Sequence, residues 1–222
     1  MENKVVVYPV PEGAARQRDY TVRVRPLGEE QWQDVGCYQV KVDMHDVRLA
    51  SMVYFDFQGA VEVEVTFTRF YTVYKVDIRP LSQAVVPVVE PGRVSFVLDH
   101  PANLSVEFNE ERFHNLHLFA DAIEEKPDVQ EGNVLVIKGS PGCGENVGDG
   151  IIRLISNMPE GRLVYIEAGI HYVTECLWHL PSHTKIYLEG GAILKGALVC
   201  ERKYRGGHVC EGGGAIVRRT VT

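Results

Sequence analysis

The chain has 222 residues, of which 45% are hydrophobic and 24% charged, and its formal net charge is −7. That size and composition suit a soluble globular protein of one or two domains. The acidic balance offers no basic face for nucleic acid, and no apolar run reaches the roughly 18 residues of a membrane span, so neither partner is expected.

The N-terminal stretch MENKVVVYPVPEG has one lysine and a short apolar run broken by prolines, without the apolar core of a secretory signal. The chain as given is therefore expected in the cytoplasm, with extracellular action left open. From Val5 to about Asn133 strand follows strand. Residues 21–25 and 37–42 alternate polar and apolar, and AVEVEVTFT (60–68) puts Val61, Val63, Val65 and Phe67 on one face. A period of two marks a half-buried antiparallel strand. Residues 71–80 and 93–101 continue the pattern and stop at proline, which cannot donate to a sheet ladder. LSVEFNEE (104–111) and LHLFAD (116–121) follow. Short strands at this spacing predict an antiparallel β-sandwich over residues 1–132.

Past Lys126-Pro127-Asp128 the rhythm changes. NVLVIKG (133–139) is an apolar strand, SPGCGENVGDG a Gly-rich loop, and DGIIRLISNMP (149–159) the one helix. Asp149 suits its N-cap and Pro159 ends it. LVYIEAGIHYV (163–173) then aligns with KIYLEGGAILK (185–195) at a shift of 22 residues, matching Tyr165 with Tyr187, Glu167 with Glu189 and Gly169 with Gly191. A strand-bearing repeat of that period is a solenoid signature, with like residues stacked in parallel.

The order from Asp149 through LVYIEAGIHYV to IYLEGGAILKGAL resembles the entry to the right-handed parallel β-helix of pectinase-type enzymes. In style it is most similar to the polygalacturonase-like family 28 glycoside hydrolases. The upstream VDIRPLSQAVVPVVEPGRVSFVLDHPANLSVEFN and RFHNLHLFAD resemble the β-sandwich that precedes the helix in many of them, and in the dextranase-like family 49 enzymes. The resemblance implies an all-β chain: a sandwich, then a capping α-helix and the first coils of the β-helix over residues 133–222. It also implies a polysaccharide or oligosaccharide partner and hydrolysis with inversion, by two carboxylates about 6.5–9.5 Å apart. In the family 28 enzymes these lie in Asn-Thr-Asp, Asp-Asp, Gly-His-Gly and Arg-Ile-Lys motifs on central coils, and none of the four occurs here. The expectation is an inactive, truncated part of such an enzyme, with no catalytic residue of its own and no cofactor. A carbohydrate-binding or assembly module built on the sandwich is the competing reading.

Several residues invite chemistry. Glu167 and Glu189 recur at the repeat period and are either an acid–base pair or a turn-facing ladder; a strand spacing of about 4.8 Å would hold them in like environments, which favours the ladder. His114 and His117, three apart on a strand, point to opposite faces, and His171, His179 and His183 lack a metal-ligand pattern. The cysteines at 37, 143, 176, 200 and 210 show no C-x-x-C spacing, so a disulfide framework or zinc knuckle is not expected. The Gly-rich loop lacks the Lys-Ser/Thr of a phosphate loop and reads as a connection. Tyr54, Phe55, Phe70, Tyr71 and Tyr74 are either sandwich core or a sugar platform. In the tail, a 22-residue phase sets Glu211 under Glu189 and Gly213 under Gly191 as a third coil, while Arg202-Lys203-Tyr204-Arg205 breaks the apolar strand such a coil needs. Self-association through the open end of the helix is expected to cover it.

Overall fold

The computed structural model describes residues 2–43, 45–68, 72–130, 134–139, 146–147, 163–180, 185–200 and 216–217. Two units emerge: residues Met1–Val10 with Ala15–Glu125, and Pro11–Ala14 with Lys126–Thr222. The period-two stretches of the first become strands β1 (Lys4–Val7), β2 (Tyr20–Pro26), β3 (Gln33–Val35), β4 (Tyr38–Val42), β5 (Arg48–Gln58) and β6 (Val61–Phe67). They continue with β7 (Val76–Arg79), β8 (Val88–Glu90), β9 (Arg93–Leu98), β10 (Ala102–Phe108) and β11 (Glu111–Ala122).

One sheet runs β3-β2-β6-β9-β8 and is antiparallel throughout. Its inner face is what the alternation of β6 dictates: Val61, Val63 and Val65 have no exposed surface. Its outer face pairs charges across the ladder, where Arg23 opposes Glu64 and Arg25 opposes Glu62, with N···O contacts of 2.8 and 2.6 Å. The second sheet runs β1-β5-β11-β10-β7, with β4 also beside β5. It contributes Val53, Phe55, Leu104, Val106, Phe108, Leu116 and Leu118 to the same apolar core. Each such side chain removed from water contributes about 1.5–3 kcal/mol, so the core between the sheets is what fixes their facing.

Three details depart from the sequence reading. The pair β5–β11 is parallel, so this sheet is mixed. Strands placed at 104–111 and 116–121 are instead a hairpin whose turn is Asn109-Glu110, both left-handed (φ 54° and 67°). Two positive φ values match the right-handed twist of the flanking strands, and the turn lets β11 begin at Glu111 and run 12 residues. Likewise, among the described residues of the 71–80 stretch, only Val76–Arg79 is strand.

The second unit is built of β12 (Val134–Ile137), β13 (Asn146–Val147), β14 (Leu163–Ile166), β15 (Gly169–Leu180), β16 (Lys185–Leu188), β17 (Ala192–Cys200) and β18 (Ile216–Val217). They form two all-parallel sheets, β12-β14-β16-β18 and β13-β15-β17. Successive coils therefore place one strand in each sheet, which makes a parallel β-helix. The 22-residue register holds in β14 and β16: Tyr165 lies opposite Tyr187 and Ile166 opposite Leu188. The two tyrosine rings stack at 5.1 Å. Val164, Ile166, Ile186 and Leu188 are buried beside them.

Past the turn the register slips by one. Gly169 pairs with Ala192 rather than Gly191, because the second turn holds one residue more; Gly191 (φ 93°) supplies the left-handed backbone that the extra residue needs. Residues 134–137 prove to be the first rung of this sheet, paired with β14, and two residues of the Gly-rich loop, Asn146 and Val147, form β13 against β15. Ile216 and Val217 pair with Ile186 and Tyr187, 30 residues on, rather than 22. The capping helix expected at 149–159, and the third-coil residues Glu211 and Gly213, lie outside the described residues. Among the described residues the only helical element is a 3₁₀ turn, Leu81–Gln83.

Candidate functional site

The repeated glutamates resolve into a backbone device. At each rung the glutamate N–H continues the ladder, Glu167 to the Ile137 carbonyl at 3.0 Å and Glu189 to the Ile166 carbonyl at 2.9 Å. At each rung its carboxylate also accepts a turn N–H two residues further along the coil below: Gly139 N–H for Glu167 at 3.3 Å, Ala168 N–H for Glu189 at 3.1 Å. Turn N–H groups that leave the sheet need an acceptor, and one glutamate per coil supplies it. Glu189 further accepts from Lys126 Nζ at 2.9 Å and from the Tyr165 hydroxyl. Burial pushes its carboxyl up, but those donors outweigh burial and hold it below the usual carboxylate range. With each carboxylate bound to a turn N–H of the coil below, the pair forms a ladder.

The histidines are likewise occupied or separated. His171 is buried, and its Nε2 donates to the Glu167 carbonyl at 2.8 Å within the same turn; burial lowers its affinity for a proton. His114 contacts the Asp19 carboxylate, and its carbonyl accepts the Tyr20 hydroxyl at 2.9 Å. His117 lies on the other face of β11, among the outward residues. His183 lies outside the described residues, and His179 is in β15. No group of three or more His, Cys, Asp or Glu among the described residues could hold a metal ion. Cys37 is half-buried, with burial pushing its thiol up to about 11; Cys176 and Cys200 lie in β15 and β17, and Cys143 and Cys210 lie outside the described residues.

Of the aromatic pool, Phe55 belongs to the sandwich core and Tyr54 is buried between Tyr8 and Tyr38, stacked on them at 5.7 and 5.6 Å. Tyr74 is 72% exposed but is tied to Asn109 through its N–H and hydroxyl. Phe70 and Tyr71 lie outside the described residues.

Two depressions flank the Leu81–Gln83 turn on the sandwich. One, of about 520 Å³, lies between Val85, Val86 and Val88 on one side and Phe96, Val97 and His100 on the other. The second, of about 640 Å³, opens on the outer face of the mixed sheet and is lined by Arg79, Leu81, Asn103, Ser105, His117 and Phe119. Two of its lining residues, Ser105 and Arg79, belong to a polar chain. Asn115 Nδ2 donates to Ser105 Oγ at 2.7 Å, Ser105 Oγ to Glu107 at 3.3 Å, and Arg79 Nε to Glu107 at 3.0 Å. Sequence reasoning weighed His117 only as a metal ligand. The available signal was that the outward positions of β10 and β11 carry Asn103, Ser105, Glu107, Asn115 and His117 between apolar inward ones.

No protein-family model matches the chain, and none of the curated proteins matches it. Among solved structures, the chain is similar to Dex49A from Penicillium minioluteum, with a TM-score of 0.65 and 16% identity over 88% of this chain and 47% of that one. At that identity the likeness is one of fold. It spans about half the length of the structure it matches.

Proposed function

We propose that this chain is the sandwich and leading coils of a carbohydrate-active β-helix protein of the dextranase-like, family 49 kind. The observation that supports this choice over the family 28 resemblance is the fold likeness to Dex49A, a family 49 dextranase, which takes in 88% of the chain. Inverting hydrolysis requires a raised acid and an ionised base set about 6.5–9.5 Å apart. Among the described residues the repeated carboxylates Glu167 and Glu189 are committed to turn N–H groups instead. The proposal is thus of glycan association without turnover by these residues.

The chain is incubated with dextran and with polygalacturonate, and reducing ends are measured alongside retention on each immobilised polymer. Retention on dextran without new reducing ends is expected. Release of reducing ends from either polymer overturns the inactive assignment, and retention on polygalacturonate alone overturns the family 49 choice.

A further inference from the structure

We infer that the depression on the outer face of the mixed sheet is a binding site for an uncharged pyranose unit, with Phe119 as the apolar plate and Asn103, Ser105 and His117 as its polar contacts. The inference rests on the glycan reading above and gives it a place and a sugar class.

The lining is fixed by three neighbouring strands. Arg79 of β7 lies opposite Ser105 of β10, and Ser105 opposite His117 of β11. Asn103 lies opposite Phe119 one step along the same pair. Sites built on strands hold their side chains more closely than sites on loops. Leu81, 66% exposed, stands at the rim. An apolar plate with a few convergent polar groups is what a sugar needs, since a pyranose has a C–H face and an edge of hydroxyls.

One lining residue, His117, and one residue bonded to the lining, Asn115, have hydrogen-bonding capacity left over. Asn115 is buried, and its Nδ2 is used by Ser105, yet its Oδ1 has no partner; His117 Nε2 is likewise buried and unpartnered. Buried polar atoms in native structures are almost always satisfied by protein or ordered water. Sugar hydroxyls, which both donate and accept, suit the amide, hydroxyl and imidazole that Asn103, Ser105 and His117 bring to the lining.

Charge decides the class of sugar. Arg79, the cation of the lining, is already paired with Glu107 at 3.0 Å and lies 3.8 Å from Asp77. Asp77 in turn meets Lys75 at 3.3 Å, and Lys75 meets Glu110 at 2.9 Å. These two cations and three carboxylates leave no positive surplus, and burial disfavours the charged form of His117. A uronate carboxylate would have to displace an existing ion pair, whereas a neutral sugar would not.

The test is heteronuclear NMR titration of the full chain with isomaltotriose and, separately, with trigalacturonate, repeated on Phe119→Ala and Asn103→Ala. Both positions face outward, so the core is left intact, and Asn103 is the more exposed of the two. Isomaltotriose is expected to shift β10 and β11 amides, with binding about tenfold weaker in F119A, a loss of the size one good contact carries, and weaker by a smaller factor in N103A. Binding of isomaltotriose that neither substitution weakens overturns this site while leaving the glycan reading standing. Trigalacturonate bound as tightly overturns the neutral-sugar assignment. No binding of either sugar by the unmodified chain, together with no retention on dextran, overturns both.

Discussion

Glu189 is the sharpest place to test whether the repeated glutamates are scaffold. Replacing it with alanine removes three acceptor roles: for Lys126 at 2.9 Å, for the Ala168 N–H at 3.1 Å, and for the Tyr165 hydroxyl. The Lys126 pair is exposed, so its loss costs about 0.5 kcal/mol. Ala168 is exposed and water can replace its acceptor, at a cost of about 0.5–1 kcal/mol. Tyr165 is buried, and an orphaned hydroxyl there costs about 1–2 kcal/mol. E189A should therefore destabilise the second unit by roughly 2–3.5 kcal/mol, and E189Q, which keeps an acceptor oxygen and loses only the charge, by about 1 kcal/mol or less. The carboxyl titrates below its ordinary value in the folded chain. Its contribution is thus present above the unfolded carboxylate pKa of about 4.3 and is lost as pH falls through the lower folded value; E189Q should flatten that acid limb. The chain has two tryptophans, Trp32 in the first unit and Trp178 in the second. Urea unfolding followed by indole fluorescence in a Trp32→Phe background therefore reports the β-helix alone. The reasoning fails if E189Q costs as much as E189A, which would place the role in the charge, or if E189A costs nothing.

Other consequences can be checked the same way. A Cβ at Gly139 would lie 1.8 Å from the Ala168 carbonyl oxygen, a backbone atom of the neighbouring rung, so Gly139→Ala should cost about 3 kcal/mol through overpacking; a stability unchanged in urea would refute the rung spacing. His171 is buried with its proton affinity lowered. The unfolded chain therefore takes up a proton that the folded chain does not, and stability should hold above pH about 6.5 and decline as pH falls from there towards the folded pKa. His171→Gln should lessen that decline, and an NMR titration of its Cε1–H showing an ordinary or raised pKa would contradict it. Strand β17 is the outer strand of its sheet among the described residues, and self-association through the last coil remains a proposal; light scattering that shows one monomeric species across a hundredfold concentration range would sink it.

Much of this architecture was open to reading before any tertiary information. The inward valines of β6 and the 22-residue match of Tyr165 to Tyr187 are consequences of strand periodicity, and both appear in the structure as expected. Periodicity is local, however, and three decisions were not. The hairpin at Asn109-Glu110 was hidden because the turn carries neither glycine nor proline; only the left-handed backbone at both residues reveals it. The slip from Gly169–Gly191 to Gly169–Ala192 depends on one turn holding an extra residue, which an ungapped alignment cannot register. The binding depression depends on which strands become neighbours.

The sequence by itself determined which residues face inward, that successive coils stack like on like, and that both units are strand-built. Each follows from the two-residue period of a strand and from the burial of apolar side chains. Only the tertiary structure decided that Arg79, Ser105 and His117, drawn from positions up to 38 residues apart, lie side by side on β7, β10 and β11. Only it decided that Glu167 and Glu189 spend their carboxylates on the turns of the coil below. The reason is physical: alternation sets the face on which a side chain emerges, whereas its neighbours on that face are set by strand order and register, which depend on contacts between distant parts of the chain.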